Sequence, residues 1–194
     1  MAVLPVYNSF HPVMKKSTEE IENIDNEVKS LVDNMFETMY HAEGIGLAAN
    51  QVGVSKSVIV IDISQNEDYR NQSPIVMINP KILSSTEDEV SFLEGCLSVP
   101  GFYEKVDRPE RIQIQYYDLN MKEVNTEADE YLSRVMQHEI DHLNGILFYE
   151  RLTPLRRSLA KNKLKKIKKG NVSLHYDMVS SDDKLIKPNN KISV

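Results

Sequence analysis

Cysteine is almost absent: Cys96 stands alone among 194 residues, so no internal disulfide can form and the thiol is left to packing or to chemistry. A reducing compartment suits both uses. No apolar run approaches the roughly 20 residues that a membrane-spanning helix needs. The opening MAVLPVYNSFHPVMKKS lacks the basic start and apolar core of a secretory signal, so the chain is expected to stay in the cytoplasm where it is made. Internal repeats and low-complexity blocks are missing too. Hydrophobic content of 41% and charged content of 27% are ordinary for a globular chain, and the length fits one domain. Acids are lacking from one stretch: residues 151–169, RLTPLRRSLAKNKLKKIKK, hold nine Lys or Arg and no Asp or Glu. With a formal charge of −6 overall, the remainder carries −15, and a basic helix is joined to an acidic body.

Ser17 and Glu20 read as a capping box ahead of Ile21, Ile24, Val28, Leu31, Val32, Met35 and Met39, which predicts a first helix running up to Gly44. GIGLAANQVG (44–53) predicts a loop whose glycines, Gly44, Gly46 and Gly53, let backbone come close to something. SVIVID (57–62), IVMINP (75–80) and RIQIQYYD (111–118) read as strands, while FLEGCLSVPG (92–101) ends in Pro and Gly. A second helix is expected from about Thr126 to Leu143, with acids near its start and Gly145 beyond its end. Tyr131, Val135, His138 and His142 fall on one stripe of it; Leu132, Met136, Ile140 and Leu143 fall on another that should pack on the sheet. Thr153 and Pro154 suit the cap and first turn of a third helix, with Leu155 and Leu159 packed inward and Gly170 ending it. Residues 171–194 show little core-forming pattern and are expected to be a flexible tail. The expected fold is α+β, a single domain over 1–170: antiparallel strands around the second helix, with an N-terminal helix and a basic C-terminal one over 151–170.

Within QHEIDHLNG (137–145), His138 and His142 are four residues apart and share a helix face, so both imidazoles can reach one metal ion with Glu139 beside it. A catalytic site of this kind wants three protein ligands and an open position for water. Cys96, in the glycine-flanked EGCLS turn, can supply the third, although a lone cysteine by itself is more commonly a small buried hydrophobe. Three classes of protein fit these residues. A zinc endopeptidase needs a further downstream ligand, for which only Glu150 and His175 offer themselves, and no zincin extension follows His142. An inactive, metal-stabilised ribosome-binding module wants four protein ligands and no acid-base neighbour. A hydrolase of another kind keeps Glu139 and places its third ligand upstream.

GIGLAANQ (44–51), EGCLS (94–98) and QHEIDHLNG (137–145), in that order, resemble the three signature motifs of peptide deformylase. The match continues less strictly along most of residues 1–165, through VPGFYEKVDRPERI and LTPLRR. The resemblance implies removal of the formyl group from the N-terminal formyl-methionine of new polypeptides, with release of formate. It implies one divalent ion held by Cys96, His138 and His142, ferrous iron in the cell, although such a donor set also accepts zinc, nickel or cobalt. Glu139 is then the residue that moves the proton. The Gln51 side-chain amide and the backbone N–H of Leu97 become the donors to the developing oxyanion, and the backbones of Ile45, Gly46 and Gly95 pair with an extended substrate. Gln51 alone reads as an ordinary loop hydrogen-bonder. Tyr131, Val135 and Ile45 are expected to wall the methionine pocket, with ordinary core as the competing reading; Tyr131 stands where relatives often carry smaller aliphatics. Asp141 is expected either to accept the second ring proton of a ligand histidine or to cap or pair locally, and Glu94 either to orient its turn by pairing with a base such as Arg108 or to form an ordinary solvated pair. His11, His41 and His175 lack partners at ligand spacing and read as surface or packing residues. Helix 151–169 is expected to be drawn to ribosomal RNA, and the chain to be a monomer without membrane contact, at home in a bacterial cytoplasm.

Overall fold

The computed structural model describes residues 1–189. In chain order its elements are β1 (Val6–Tyr7), α1 (Asn26–His41), β2 (Gly46–Ala48), β3 (Val58–Ile61), β4 (Ile75–Ser85), β5 (Glu89–Glu94), β6 (Glu104–Pro109), β7 (Ile112–Tyr117), β8 (Glu123–Ala128), α2 (Glu130–Leu143), α3 (Pro154–Lys168), β9 (Met178–Val179) and β10 (Leu185–Ile186). Five strands make an antiparallel sheet in the order β2-β3-β4-β7-β8. β3 shows why VIVI is apolar throughout: alternate side chains point to opposite faces, and both faces are covered. Val58 and Val60 pack with Val28, Leu31, Val32, Met35 and Met39 of α1. Ile59 and Ile61 pack with Val135, Met136, Ile140 and Leu143 of α2. Each such side chain taken fully out of water contributes about 1.5 to 3 kcal/mol. Beyond α2 lies a separate hairpin, β5 with β6, so the motif-bearing helix is central in an α+β fold.

Several boundaries move, each for a local reason. α1 begins at Asn26, capped by Asp25, whose carboxylate accepts from Val28 N–H at 2.8 Å. Ile21 cannot join it, because the Asn79 side chain occupies both its N–H and its carbonyl at 2.8 Å, and Glu19 bridges to Lys56. α2 likewise begins at Glu130, since residues 123–128, partly assigned to it by sequence, pair with β7. From Ser133 to Leu143 every residue of α2 is buried, so the two stripes merge and Tyr131 and Val135 fall with the sheet-facing cluster. α3 has its cap at Thr153 and ends before Gly170, which adopts φ +72. Its inward face is Ala160, Leu164 and Ile167, however, and Leu155 and Leu159 are 72% and 77% exposed.

The largest departure concerns the expected tail. Residues 174–179 bury Leu174, Tyr176 and Met178, and β9 pairs in parallel with β1 while β10 covers β9. β9 satisfies the backbone of a two-residue N-terminal strand, which lies outside the main sheet. The last part of the expected tail, 190–194, lies outside the described residues.

Candidate metal centre

Three segments converge on one point. β5 ends at Glu94 and delivers Cys96 in the turn that follows; α2 delivers His138 and His142 one turn apart; the chain after β2 delivers Gln51. Cys96 Sγ lies 3.2 Å from His142 Nε2, and one ligand atom from each of Cys96, His138 and His142 lies within 4.8 Å of the others. Both histidines are buried and Cys96 is half-buried. His142 Nδ1 and Glu139 Oε2 are buried without a hydrogen-bond partner among the described residues. A thiol sulfur and two imidazole nitrogens that converge this closely, two of the three side chains buried, are what a divalent cation would bind, and S, N, N is a donor set for zinc, iron, nickel or cobalt. The residues fit the ion.

The orientation of the ligands is built from charge. His138 Nδ1 faces Glu94 Oε2 at 2.8 Å, which leaves its Nε2 free. Glu94 also accepts from Arg108 Nε at 2.7 Å and Nη2 at 3.0 Å, and from Arg134 Nη1 at 3.0 Å. Arg134 continues to the carbonyls of Val90 and Val106, one on each strand of the β5–β6 hairpin. Thus α2 and the hairpin that carries Cys96 are tied through one carboxylate. Asp141 does not take the histidine proton: it is filled by Arg108 Nη1 at 2.6 Å and by Arg151 Nε and Nη2, both at 2.5 Å.

Burial penalises charge throughout the site. It raises the Glu139 carboxyl to about 7, a rise that the neighbouring His138 charge partly opposes. It also acts on Glu94, but hydrogen bonds from His138 and Arg108 outweigh it and hold that carboxyl well below the ordinary range. On His138 burial favours the neutral ring, yet the hydrogen bonds to Cys96 and Glu94 prevail and lift it to about 10, so an ion taken up there would displace a proton from this ring. His142 goes the other way, pushed well down by burial and by the charges of His138 and Arg108, so its ring is neutral and can donate a lone pair.

Gln51 has its two ends assigned. Its Oε1 accepts from Ala48 N–H at 2.8 Å, which turns Nε2 toward Cys96 Sγ at 3.5 Å and Ser98 Oγ at 3.3 Å. One end of the amide thus serves the loop, and the other faces the Cys96 turn. Glycine at 46 is required by contact: a Cβ there would stand 2.6 Å from Glu139 Oε1. Above these groups opens a cleft of about 510 Å³, bordered by Ile45, Gly46, Gln51, Gly95, Cys96 and Leu97 and floored by His138 and Glu139. Tyr131 and Val135 do not border it; they share a hydrophobic cluster with Ile45, which does. Sequence reasoning missed Tyr103, Ser173, His175 and Tyr176 on the rim, and Arg134, which holds Glu94. The sequence signal for Arg134 was its place four residues before His138, on the same helix face.

A family model described as polypeptide deformylase matches residues 3–158. A peptide deformylase of Thermodesulfovibrio yellowstonii is 49% identical over 165 residues, covering 85% of this chain and 98% of that one. One of Salinibacter ruber is 39% identical over 191 residues, covering 95% and 98%. Among solved structures, peptide deformylase of Ehrlichia chaffeensis in complex with actinonin superposes with a TM-score of 0.78 at 40% identity, covering 88% of this chain and 98% of that one.

Proposed function

This chain belongs to the polypeptide deformylase family, metal-dependent hydrolases that remove the N-terminal formyl group from new polypeptides, and from that premise we propose how its residues share the work. Cys96, His138 and His142 hold the ion, and Glu139 moves the proton. The observation that carries this assignment is the convergence of those three ligand atoms beside a buried carboxylate oxygen that has no hydrogen-bond partner among the described residues. When bound, a divalent ion supplies Lewis acidity, making water nucleophilic near neutral pH. Glu139, whose carboxyl burial brings close to neutral, accepts a proton from the attacking water and returns it to the amide nitrogen, which leaves poorly unless protonated. The Gln51 Nε2–H and the Leu97 N–H donate to the formyl oxygen as negative charge grows on it. The formyl-methionyl chain lies extended along Ile45, Gly46 and Gly95, pairing through backbone. Ile45 is the wall of the methionine side chain, with Tyr131 and Val135 backing it.

The ion in the cell is ferrous iron, with zinc giving a less active form; the donor set accepts both. No helix among the described residues is long and apolar enough to cross a membrane. We place the protein in a bacterial cytoplasm as a monomer, with residues 151–169 drawn to ribosomal RNA. Support for that contact comes from the exposed lysines Lys161, Lys163, Lys165, Lys166, Lys168 and Lys169, none of which pairs with an acid among the described residues. The deciding experiment compares formyl-Met-Ala-Ser with an internal peptide bond, using protein purified without oxygen and analysed for metal. Formate release from the first alone is expected; cleavage of the second would make the protein a protease.

A further inference from the structure

Beyond residue 158, where the family match ends, the chain approaches the cleft a second time. Pairing of Val6 with Met178 and of Tyr7 with Val179 anchors this segment, and Val6 and Asn8 N–H donate to Asp177 and Val179 at 2.9 and 2.8 Å. The anchorage carries Leu174 and Tyr176 into a cluster with Val6, Ala42 and Leu97. It also lays Ser173, His175 and Tyr176 along the cleft. Two polar contacts then reach opposite sides. The Tyr176 hydroxyl, on a buried side chain, donates to the Leu97 carbonyl at 2.7 Å. His175 Nε2 meets the Ala42 carbonyl at 3.2 Å. One contact holds the turn that carries Cys96 and Leu97; the other holds the segment that leads into Ile45 and Gly46.

We propose that residues 173–176 are a clasp that fixes the spacing of the two cleft walls, with Tyr176 a positioning residue for Leu97. This rests on the reading of the Leu97 N–H as an oxyanion donor. The carbonyl and the N–H of Leu97 hang from the same Cα, so a hydrogen bond that pins the carbonyl limits the backbone rotation by which the N–H could swing away. The Leu97 side chain packs close beside Gly44, in the space that a Cβ there would take, and so meets the opposite wall directly. Charge on the formyl oxygen develops only on the way to the transition state, so a loosened donor lowers kcat and leaves KM nearly alone.

Tyr176→Phe keeps the ring and its packing and removes only the hydroxyl. The expected result is a fall in kcat of about fivefold, the size of one net hydrogen bond, equal for formyl-Met-Ala and formyl-Met-Ala-Ser, at unchanged KM, metal content and Tm. In the zinc-loaded protein the Leu97 amide resonance should shift. If neither kcat nor the resonance moves, the clasp is overturned and the oxyanion reading stands. A shifted resonance with unchanged kcat overturns the oxyanion reading, and the positioning role with it. A lower kcat that follows metal loss or a lower Tm, with the Leu97 resonance in place, assigns Tyr176 to stability alone and overturns the clasp.

Discussion

Glu94 gathers His138 and two arginines on one buried carboxylate, and it stands two residues before Cys96. Removing either arginine strands negative charge in the interior. Arg108→Met is expected to cost about 3 to 5 kcal/mol in urea unfolding, because Glu94 and Asp141 both lose a partner, and to weaken metal binding about 10- to 100-fold. Glu139→Ala should lower kcat by about 10² to 10⁴ with metal content kept, whereas Cys96→Ala should lose the metal itself. Full activity in Glu139→Ala protein would remove the proton role from that residue. The pairing of His138 with His142 was readable because spacing of four on a helix is a local rule; the Glu94 contact with His138 joins residues 44 apart and exists only once the hairpin has docked on α2. Asp141, one residue before His142, looked equally suited to hold a ring proton, and nothing short of the fold shows that Arg108 and Arg151 occupy it.

Helix boundaries depend on competition for backbone groups, which is why α1 and α2 were found but their first turns were misplaced. Asn79 takes Ile21 out of reach of α1, and β7 takes residues 123–128 from α2. Asp25 then does the capping that Ser17 seemed to offer. Its carboxyl is held below the ordinary range, first by the Val28 N–H, so the cap's contribution is complete above the unfolded pKa and is lost as pH falls through the folded one. Asp25→Asn, still a good cap, should keep Tm at neutral pH and flatten its decline in acid, while Asp25→Ala should lower Tm at both. Calorimetry across that pH range checks the pair. On α3 the exposed lysines predict their own signature: Lys161, Lys165 and Lys168 replaced together by Gln should weaken ribosome co-sedimentation and reduce its salt slope by about one unit per lost phosphate contact, leaving formyl-Met-Ala-Ser turnover intact. Co-sedimentation unaltered by these changes would free α3 from any role in docking.

Taken whole, the molecule has its ligands on two bodies that the ion would join: a hairpin turn and a helix on the sheet. A chelator is therefore expected to abolish turnover and lower Tm, both returning with Fe(II), Co, Ni or Zn; ion at a hundredfold excess over its Kd stabilises by about 2.7 kcal/mol. A thermal transition indifferent to chelation would show that the two bodies hold together unaided. The architecture was legible as α+β because the strand and helix periods in the sequence are clean. The folded-back end was not, since its burial depends on β1, a strand of two residues with almost no pattern of its own. That pairing of β1 with β9 has a consequence in time. During synthesis the N-terminal strand emerges first and waits for nearly the entire described chain before its partner appears. The rim segment 173–176, carried by that pairing, is therefore made after Cys96, His138 and His142, and its docking on the cleft comes no earlier than theirs.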